Sequence, residues 1–471
     1  MQRVGEAPAP RGRAAPASGL DRLFRLRANG TTVRTEVVAG ATTFVVMAYI
    51  IAVNPASLSA AGLDPRAVAT STCLVAGVMT LAMGLVTNRA FAMAPGLGLN
   101  AIVAFNLVGA LGLTPAEAMG VVVTEGLLIT LLVLIGVRKW VMDAVPESLA
   151  RAISVGIGLF ILFIGLRNAG FILFLPGQTG SVDGLLALAP LDTWPIAVAI
   201  LGLVVTLVLM ARSVKAAILV GIVVATVVAL VVPGGVATLP AEPFAGPDFS
   251  LIGQIGFGYW AKLGALTAVL SVVSLMLSDF FDTMGTLIGV GAEAGYLDDR
   301  GELPGAQKAL LVDGLGAVAG GFVSASSATT FIESAAGIAT GGRTGLVSVV
   351  TGALFLLSLP FVNLVTAIPA AATAPALIVV GALMVGVLGE RREGGGSIDF
   401  RDIGVGIPVV LTMLVMPLTF SITNGIGAGF VAYALIAVAR GRARELHPGV
   451  AAVAVLFVLY FARHALFGVT F

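Results

Sequence analysis

Long apolar runs, separated by short polar segments, dominate this chain of 471 residues. About 20 apolar residues cross the hydrocarbon core of a bilayer as a helix, and only 11% of the residues here are charged, against about 25% in soluble domains. Seven runs precede a polar, proline-rich loop, at about 35–55, 66–86, 90–112, 117–137, 149–174, 194–212 and 216–233. Seven more follow it, at about 263–290, 305–322, 326–340, 344–360, 368–388, 402–419 and 424–440. The sequence therefore predicts an all-α polytopic membrane protein with fourteen transmembrane segments in the lipid bilayer of the cell membrane.

The basic residues fix the predicted orientation. With a cytoplasmic N-terminus, 22 of the 26 Lys and Arg residues fall in cytoplasmic segments. Cytoplasmic loops of membrane proteins are enriched in these residues, so the asymmetry supports both the orientation and the number of spans. The four exceptions are Arg66, Arg167, Lys262 and Arg463.

Seven spans per half place the two halves in opposite orientations, which predicts two inverted repeats, at 22–233 and 263–440. Residues 1–21 are expected to form a disordered cytoplasmic tail, and 234–262 an extracytoplasmic loop. The C-terminal segment, 441–471, contains one more apolar run, at about 449–468, which is either an additional span or an interfacial helix.

The sequence offers little for a metal centre. Cys73 is the single cysteine, and both histidines, His447 and His464, lie near the C-terminus. We therefore expect no disulfide, no metal site, no cofactor and no nucleic-acid partner.

Two spans are predicted to be broken. In span 3, "AFAMAPGLGLNAIVAFN", Pro95 and two glycines disfavour a continuous helix. In span 10, the 15 residues 326–340 reach only about 22 Å as a helix, against a core of about 30 Å. If residues 326–331 are extended, the segment reaches about 33 Å. A half-extended, half-helical span would place Glu333 at the N-terminus of a helix that faces a cavity. Close helix packing explains the small residues of this segment but not the carboxylate.

Span 8 carries a pair of acidic residues, Asp279 and Asp282, on one helical face. Two carboxylates this close disfavour double ionisation, so one should hold a proton part of the time. This predicts a role in proton coupling for Asp279, Asp282 and Glu333; alternatively, one Asp only bonds neighbouring backbone or hydroxyl groups. Weaker candidates for direct function are Glu125, Asp313 and Arg167.

Uncharged side chains near these acids are candidate substrate contacts. Asn100 lies on broken span 3, and its amide both donates and accepts hydrogen bonds. Phe281 and Phe331 flank the acidic residues and could stack on a flat ring, although packing is the common role of a single Phe.

Four ordered stretches resemble the signatures of the AzgA-like purine permeases, members of the nucleobase-cation symporters that include the xanthine and uracil permeases. They are "VAGATTFVVMAYIIAVNP" (38–55), "FAMAPGLGLNAIVAF" (91–105), "SDFFDTMGTLIGVG" (278–291) and "SSATTFIESAAGIATGGRTGL" (326–346). The resemblance implies a core domain of spans 1–4 and 8–11, a gate domain of spans 5–7 and 12–14, and a possible homodimer through the gate. It also implies that extended pieces of spans 3 and 10 meet at the substrate.

The same resemblance implies roles for individual residues. Glu333 matches the acid that holds the nucleobase, and Asn100 matches a polar residue of span 3. Asp279 best matches the acid of span 8, although a shift of a few residues would give that role to Asp282. An Asp at this point agrees with the AzgA-like branch and favours hypoxanthine, guanine or adenine over pyrimidines. The remaining candidate contacts are Phe331, Ile332, Ala94 and Thr43.

The predicted function is import of purine nucleobases by proton symport, without enzymatic activity. The residues do not separate proton from sodium coupling. Alternatives are transport of xanthine or uracil, and anion transport on a related fold, which the three acids disfavour. An intramembrane enzyme that uses "DFFD" as a magnesium site would need a second acidic cluster and basic residues for a diphosphate.

Overall fold

The computed structural model describes residues 19–136, 145–174, 186–298, 303–389 and 398–467. The first half contains the helices α1 (Gly19–Phe24), α2 (Val33–Met47), α3 (Ile50–Leu58), α4 (Pro65–Thr87), α5 (Leu97–Ala110), α6 (Pro115–Leu134), α7 (Glu147–Asn168), α8 (Trp194–Ala211) and α9 (Ala217–Val231). The second half contains α10 (Tyr259–Glu293), α11 (Ala306–Phe322), α12 (Ser334–Ala339), α13 (Gly345–Leu357), α14 (Ala370–Val385), α15 (Ile403–Leu418), α16 (Ile422–Ala439) and α17 (Pro448–Phe467). Four short strands accompany them: β1 (Met93–Pro95), β2 (Ile172–Phe174), β3 (Leu186–Leu188) and β4 (Ala328–Thr330).

Each predicted span coincides with a helix or with a strand followed by a helix. In the described part of the chain, seven helices are long and apolar enough to cross a membrane, and an eighth is formed if the bent pair Gly345–Leu357 and Leu359–Ala367 counts as one. Several other predicted spans are shorter apolar helices, among them α9, α14 and α15. Both spans that were predicted to be broken contain a strand. This confirms the predicted fold class.

The end of span 5 differs from the prediction. The apolar run was expected to continue as one span to residue 174, but α7 ends at Asn168. Gly170 has a φ of 77° and ends the helix in the left-handed conformation that glycine favours. Beyond it, β2 pairs with β3 in antiparallel register, with Leu173 opposite Ala187.

The helices pack in two groups, which correspond to the implied core and gate domains. In the core, α4 packs on α13, α6 packs on α11, and α10 packs on α6. In the gate, α7 packs on α14 and α15, while α8 packs on α9. Hydrogen bonds join the groups: for example, Asn106 of α5 donates to Ser421 at 2.6 Å, and Lys215 donates to the carbonyl of Ala336 at 3.2 Å.

Glycine allows α11 to lie directly against the extended piece of span 10. A Cβ on Gly320 would lie 2.0 Å from the carbonyl oxygen of Ser326, and one on Gly316 would lie 2.8 Å from that of Ala328. Real Cβ atoms do not approach backbone oxygens so closely, because protein interiors are packed to near van der Waals contact. The small residues of α11 therefore set the position of β4.

Candidate functional site

Strands β1 and β4 meet in the middle of the core, although they come from opposite halves of the chain. They pair antiparallel, with Ala94 opposite Thr329. Outside the strands, Gly96 donates to the carbonyl of Ser327 and Phe331 donates to that of Ala92, both at 2.9 Å. These bonds satisfy backbone groups that two broken spans would otherwise leave unpaired inside a membrane.

A helix begins shortly after each strand: α5 at Leu97 and α12 at Ser334. Pro95 cannot donate a backbone hydrogen bond, which favours the extended conformation before α5. On the other side, Ser326 has a φ of 72°, outside the helical region. The two helices therefore start beside the strand pair, which we call the β1–β4 crossing.

Glu333 lies at the start of α12 and is half-buried. Its Oε1 accepts a hydrogen bond from the hydroxyl of Tyr49 at 2.5 Å. Tyr49 is 1% exposed and lies where span 1 changes from α2 to α3. A hydrogen bond to a charged acceptor is shorter and stronger than a neutral one, so Tyr49 fixes one oxygen of the carboxylate.

Tyr49 was not predicted as a site residue. The sequence contains one signal for it, because a tyrosine in an apolar run needs a partner for its hydroxyl. The partner lies 284 residues further along the chain. The pattern therefore indicates a polar contact in span 1 without indicating Glu333.

The residues on either side of Glu333 lie in different environments. Ile332 is 61% exposed, whereas Phe331 is 7% exposed. Ser334 is buried, and its hydroxyl accepts from the backbone N–H of Ala92 at 2.9 Å. The start of α12 is thus anchored to span 3 on one side and reaches accessible space on the other.

The two acids of span 8 do not share an environment. Asp279 is fully buried, and its Oδ2 accepts from the hydroxyl of Ser327 at 2.7 Å. Asp282 is half-buried and lies within electrostatic range of both Asp279 and Glu333. Asp282 therefore shares the accessible side with Glu333, while Asp279 is bonded to the side chain of Ser327, just before β4.

Asp313 of α11 is surrounded by donors. Its Oδ2 accepts from the Thr283 hydroxyl at 2.7 Å, and its Oδ1 accepts from the N–H and the hydroxyl of Thr330 at 3.0 and 3.1 Å. Thr283 also contacts the hydroxyl of Thr329 at 2.5 Å. The carboxylate of Asp313 thereby ties α10 and α11 to β4.

The remaining predicted contacts lie on spans 1, 3 and 8. Asn100 is fully buried on α5, and neither polar atom of its amide has a partner among the described residues. Thr43 donates to the carbonyl of Ala39 at 3.1 Å in its own helix. Ala94 is buried within the β1–β4 crossing, and Phe281 is half-buried with its ring 5.8 Å from that of Phe280.

Comparison with known proteins identifies the family. The xanthine/uracil permease model, which is described as a permease family, matches residues 34–391. The chain belongs to this permease family. The resemblance to purine permeases in four sequence stretches is thereby confirmed at the level of the family.

Two relatives match the permease over almost its entire length. The adenine permease AdeQ of Escherichia coli (strain K12) is 42% identical over 447 residues, which cover 93% of this chain and 95% of that protein. The guanine/hypoxanthine permease PbuO of Bacillus subtilis (strain 168) is 38% identical over 450 residues, which cover 93% of this chain and 99% of that protein. Both are named as transporters, and the permease is a multi-pass membrane protein.

Solved structures support the architecture. The transmembrane domain of the cyanobacterial bicarbonate transporter BicA superposes with a TM-score of 0.62 at 18% identity, covering 84% of this permease and 97% of that chain. SLC26A9 superposes with a TM-score of 0.60 at 14% identity, covering 92% of this permease and 73% of that chain. Both share the inverted-repeat fold with core and gate domains.

Proposed function

We propose that this permease imports purine nucleobases, with hypoxanthine, guanine and adenine as the candidate substrates, by proton symport. The observation that carries the proposal is the position of Glu333 at the start of α12, held by Tyr49 beside the β1–β4 crossing. Relatives named as adenine and guanine/hypoxanthine permeases support a purine as the substrate.

A purine ring has N–H donors and N or carbonyl acceptors in one plane. The Glu333 carboxylate can accept from ring N–H groups, while the backbone N–H groups at the start of a helix can donate to ring acceptors. Phe331, Ile332 and Asn100 are the candidates for contact with the ring faces and edges. Thr43 of span 1 and Ala94 of span 3 are proposed to line the walls of the same site.

Proton coupling is proposed because several acids lie close together in the core. Asp282 and Glu333 face accessible space, and Asp279 lies behind them. Protonation of one of the three would reduce their mutual repulsion and stabilise the state that binds the purine. With a cytoplasmic N-terminus, the loaded core would move against the gate and release purine and proton inside. A homodimer through the gate would hold the gate still during this movement.

An anion transporter is the second candidate, because BicA has the same fold and is named as a bicarbonate transporter. The start of α12 would suit an anion. However, Glu333 occupies that position and Asp282 lies within electrostatic range of it. Two carboxylates at the site would repel an anion, so the acids favour a neutral substrate with N–H donors.

Replacing Glu333 by Gln tests the proposal. Losing a hydrogen bond to a charged acceptor costs about 1.5–3 kcal/mol, or about 10- to 100-fold in affinity. We expect Glu333→Gln to lower uptake of radiolabelled hypoxanthine, guanine and adenine by at least this factor in cells that lack their own purine permeases. Glu445→Gln, at an exposed ion pair with Arg442, is the matched control and should transport normally.

Competition by unlabelled bases, with and without a protonophore, then separates the finer alternatives. If unlabelled xanthine or uracil inhibits uptake and the three purines do not, the proposed substrate is wrong and the inhibiting base replaces it. If uptake follows a sodium gradient and resists the protonophore, the coupling ion is sodium and not the proton. Near-normal uptake by Glu333→Gln would contradict the assignment of the binding site.

A further inference from the structure

Glu125 is another acid of the core, in addition to the three acids that the proposed function uses. It lies in the middle of α6 and is fully buried. Among the described residues, neither of its carboxyl oxygens has a protein donor, and the same is true of Oδ1 of Asp279. These unpartnered groups face one another, because the Glu125 and Asp279 carboxyls lie within hydrogen-bonding range.

Two ionised carboxylates can only accept hydrogen bonds, so this contact requires a proton between them. The distribution of donors indicates where it resides. Asp313 accepts from three donors and Oδ2 of Asp279 accepts from Ser327. Within the described part of the chain, Glu125 has no protein donor. Its carboxylic acid form, donating to Oδ1 of Asp279, gives each of the two side chains a hydrogen-bond partner.

The charged groups around Glu125 all have the same sign. Asp279 faces it from α10 and Asp313 acts on it from α11, while Asp282 acts on Asp279 from one turn along α10. Among the described residues, no Lys or Arg is found with the acids that act on Glu125. Loss of the proton would leave neighbouring negative charges in a fully buried site, which is strongly unfavourable.

The side chain of Ser327 connects this pair to the β1–β4 crossing. Ser327 donates through its hydroxyl to Asp279 at 2.7 Å, and its carbonyl accepts from the N–H of Gly96 at 2.9 Å. A change of charge at Asp279 therefore acts on the backbone that joins spans 3 and 10. Glu333 lies on the same piece of chain, a few residues beyond β4.

We propose that Glu125 and Asp279 share the proton that this permease carries, with Glu125 as its principal holder. The proposal rests on the proposed proton-coupled uptake and adds a residue to it. The proton binds when the site is reached from outside. It keeps Asp279 hydrogen-bonded to Ser327 while the purine is held, and it leaves when movement of the core admits water on the inside. Glu125 does not touch the purine.

Glu125→Gln separates coupling from binding, since an amide resembles a permanently protonated acid and can still donate to Asp279. In liposomes containing the purified protein, we expect the variant to exchange internal for external radiolabelled adenine within about threefold of wild type. We expect it to lose accumulation of adenine against its gradient when an inward proton gradient is applied. Its KM should change less with external pH than the KM of wild type does. Glu117→Gln on the same helix keeps the capping interaction with Thr114 and should behave as wild type.

Accumulation by Glu125→Gln with the wild-type pH profile would overturn the inference. If a folded Glu125→Gln variant loses both exchange and accumulation, the inference is also overturned, because Glu125 would then serve binding or structure. Failure of wild type to bind or exchange any purine would refute the proposed function instead. If Glu125→Gln does not fold, infrared spectroscopy of the wild-type protein at neutral pH tests the inference instead. We expect an absorption band from a protonated carboxyl group. The band must shift when glutamate is labelled with carbon-13, and its absence would refute a proton on Glu125.

Discussion

Replacing Tyr49 by Phe removes one hydroxyl and tests whether the Glu333 carboxylate is positioned for binding. The hydroxyl donates to Oε1 at 2.5 Å, and the Tyr49 side chain is 1% exposed. A hydrogen bond to a charged group contributes about 1.5–3 kcal/mol. Because Glu333 is half-buried, water can replace part of the lost donor from the accessible side. We therefore expect the lower end of this range, which is about a tenfold loss of affinity.

Binding and transport should report this loss in different ways. Calorimetric titration of the purified protein with adenine and hypoxanthine should give a Kd about tenfold higher for Tyr49→Phe. The KM for uptake should rise by a similar factor, with a smaller change in the maximal rate. Tyr433→Phe makes the same chemical change on α16 of the gate and should leave both constants near wild type.

A double variant makes the test stricter. If Tyr49 acts only through Glu333, then Tyr49→Phe should cost little once Glu333→Gln is present, because contacting residues are not additive. Equal losses in both backgrounds would mean that Tyr49 acts on the purine directly. A Kd within about twofold of wild type for the single variant would refute the positioning role.

Three further predictions concern packing and charge. Glu36 accepts three hydrogen bonds at the start of α13, so Glu36→Ala should lower the free energy of unfolding by about 2 kcal/mol or more, measured by thermal melting in detergent. Gly320→Ala should prevent β4 from docking on α11 and abolish purine binding, whereas Gly285→Ala, which meets no atom within 4 Å, should bind normally. The Arg440 guanidinium and a backbone N–H hold the pKa of Asp402 below its usual value. The stability from this carboxylate is present above its unfolded pKa of about 4 and is lost as the pH falls through its lower folded value. Asp402→Asn should therefore melt below wild type at neutral pH and converge with it in acid.

The broken spans could be predicted because their causes are local. Pro95 removes a donor, and residues 326–340 are too short to cross as a helix. The turn at Gly170 was not predicted, since an apolar run that continues past a glycine has the same hydropathy whether it forms a helix or a hairpin.

The partners of the acids could not be predicted, because they depend on which helices cross. The spacing of Asp279 and Asp282 puts them on one face of a helix, but their exposure differs once α6 and β4 cover part of that face. Glu125 is a single carboxylate in an apolar run, and the sequence does not indicate which helix it faces. Its contact with Asp279 depends on packing between α6 and α10, to which residues from both halves of the chain contribute.

The acids of this core have different roles, although their side chains are chemically alike, because the number of hydrogen-bond donors around each carboxyl group differs. Glu36 and Asp313 each accept three hydrogen bonds from described residues, so each carboxyl group holds neighbouring elements together. Glu333 accepts a hydrogen bond from Tyr49 and has an accessible side, so it can exchange water for the N–H groups of a substrate. Glu125 has no donor among the residues that the structure describes, so in this arrangement it needs a proton. A variant that supplies Glu125 with a permanent donor should therefore disturb coupling, whereas removing a donor from Asp313 should disturb folding.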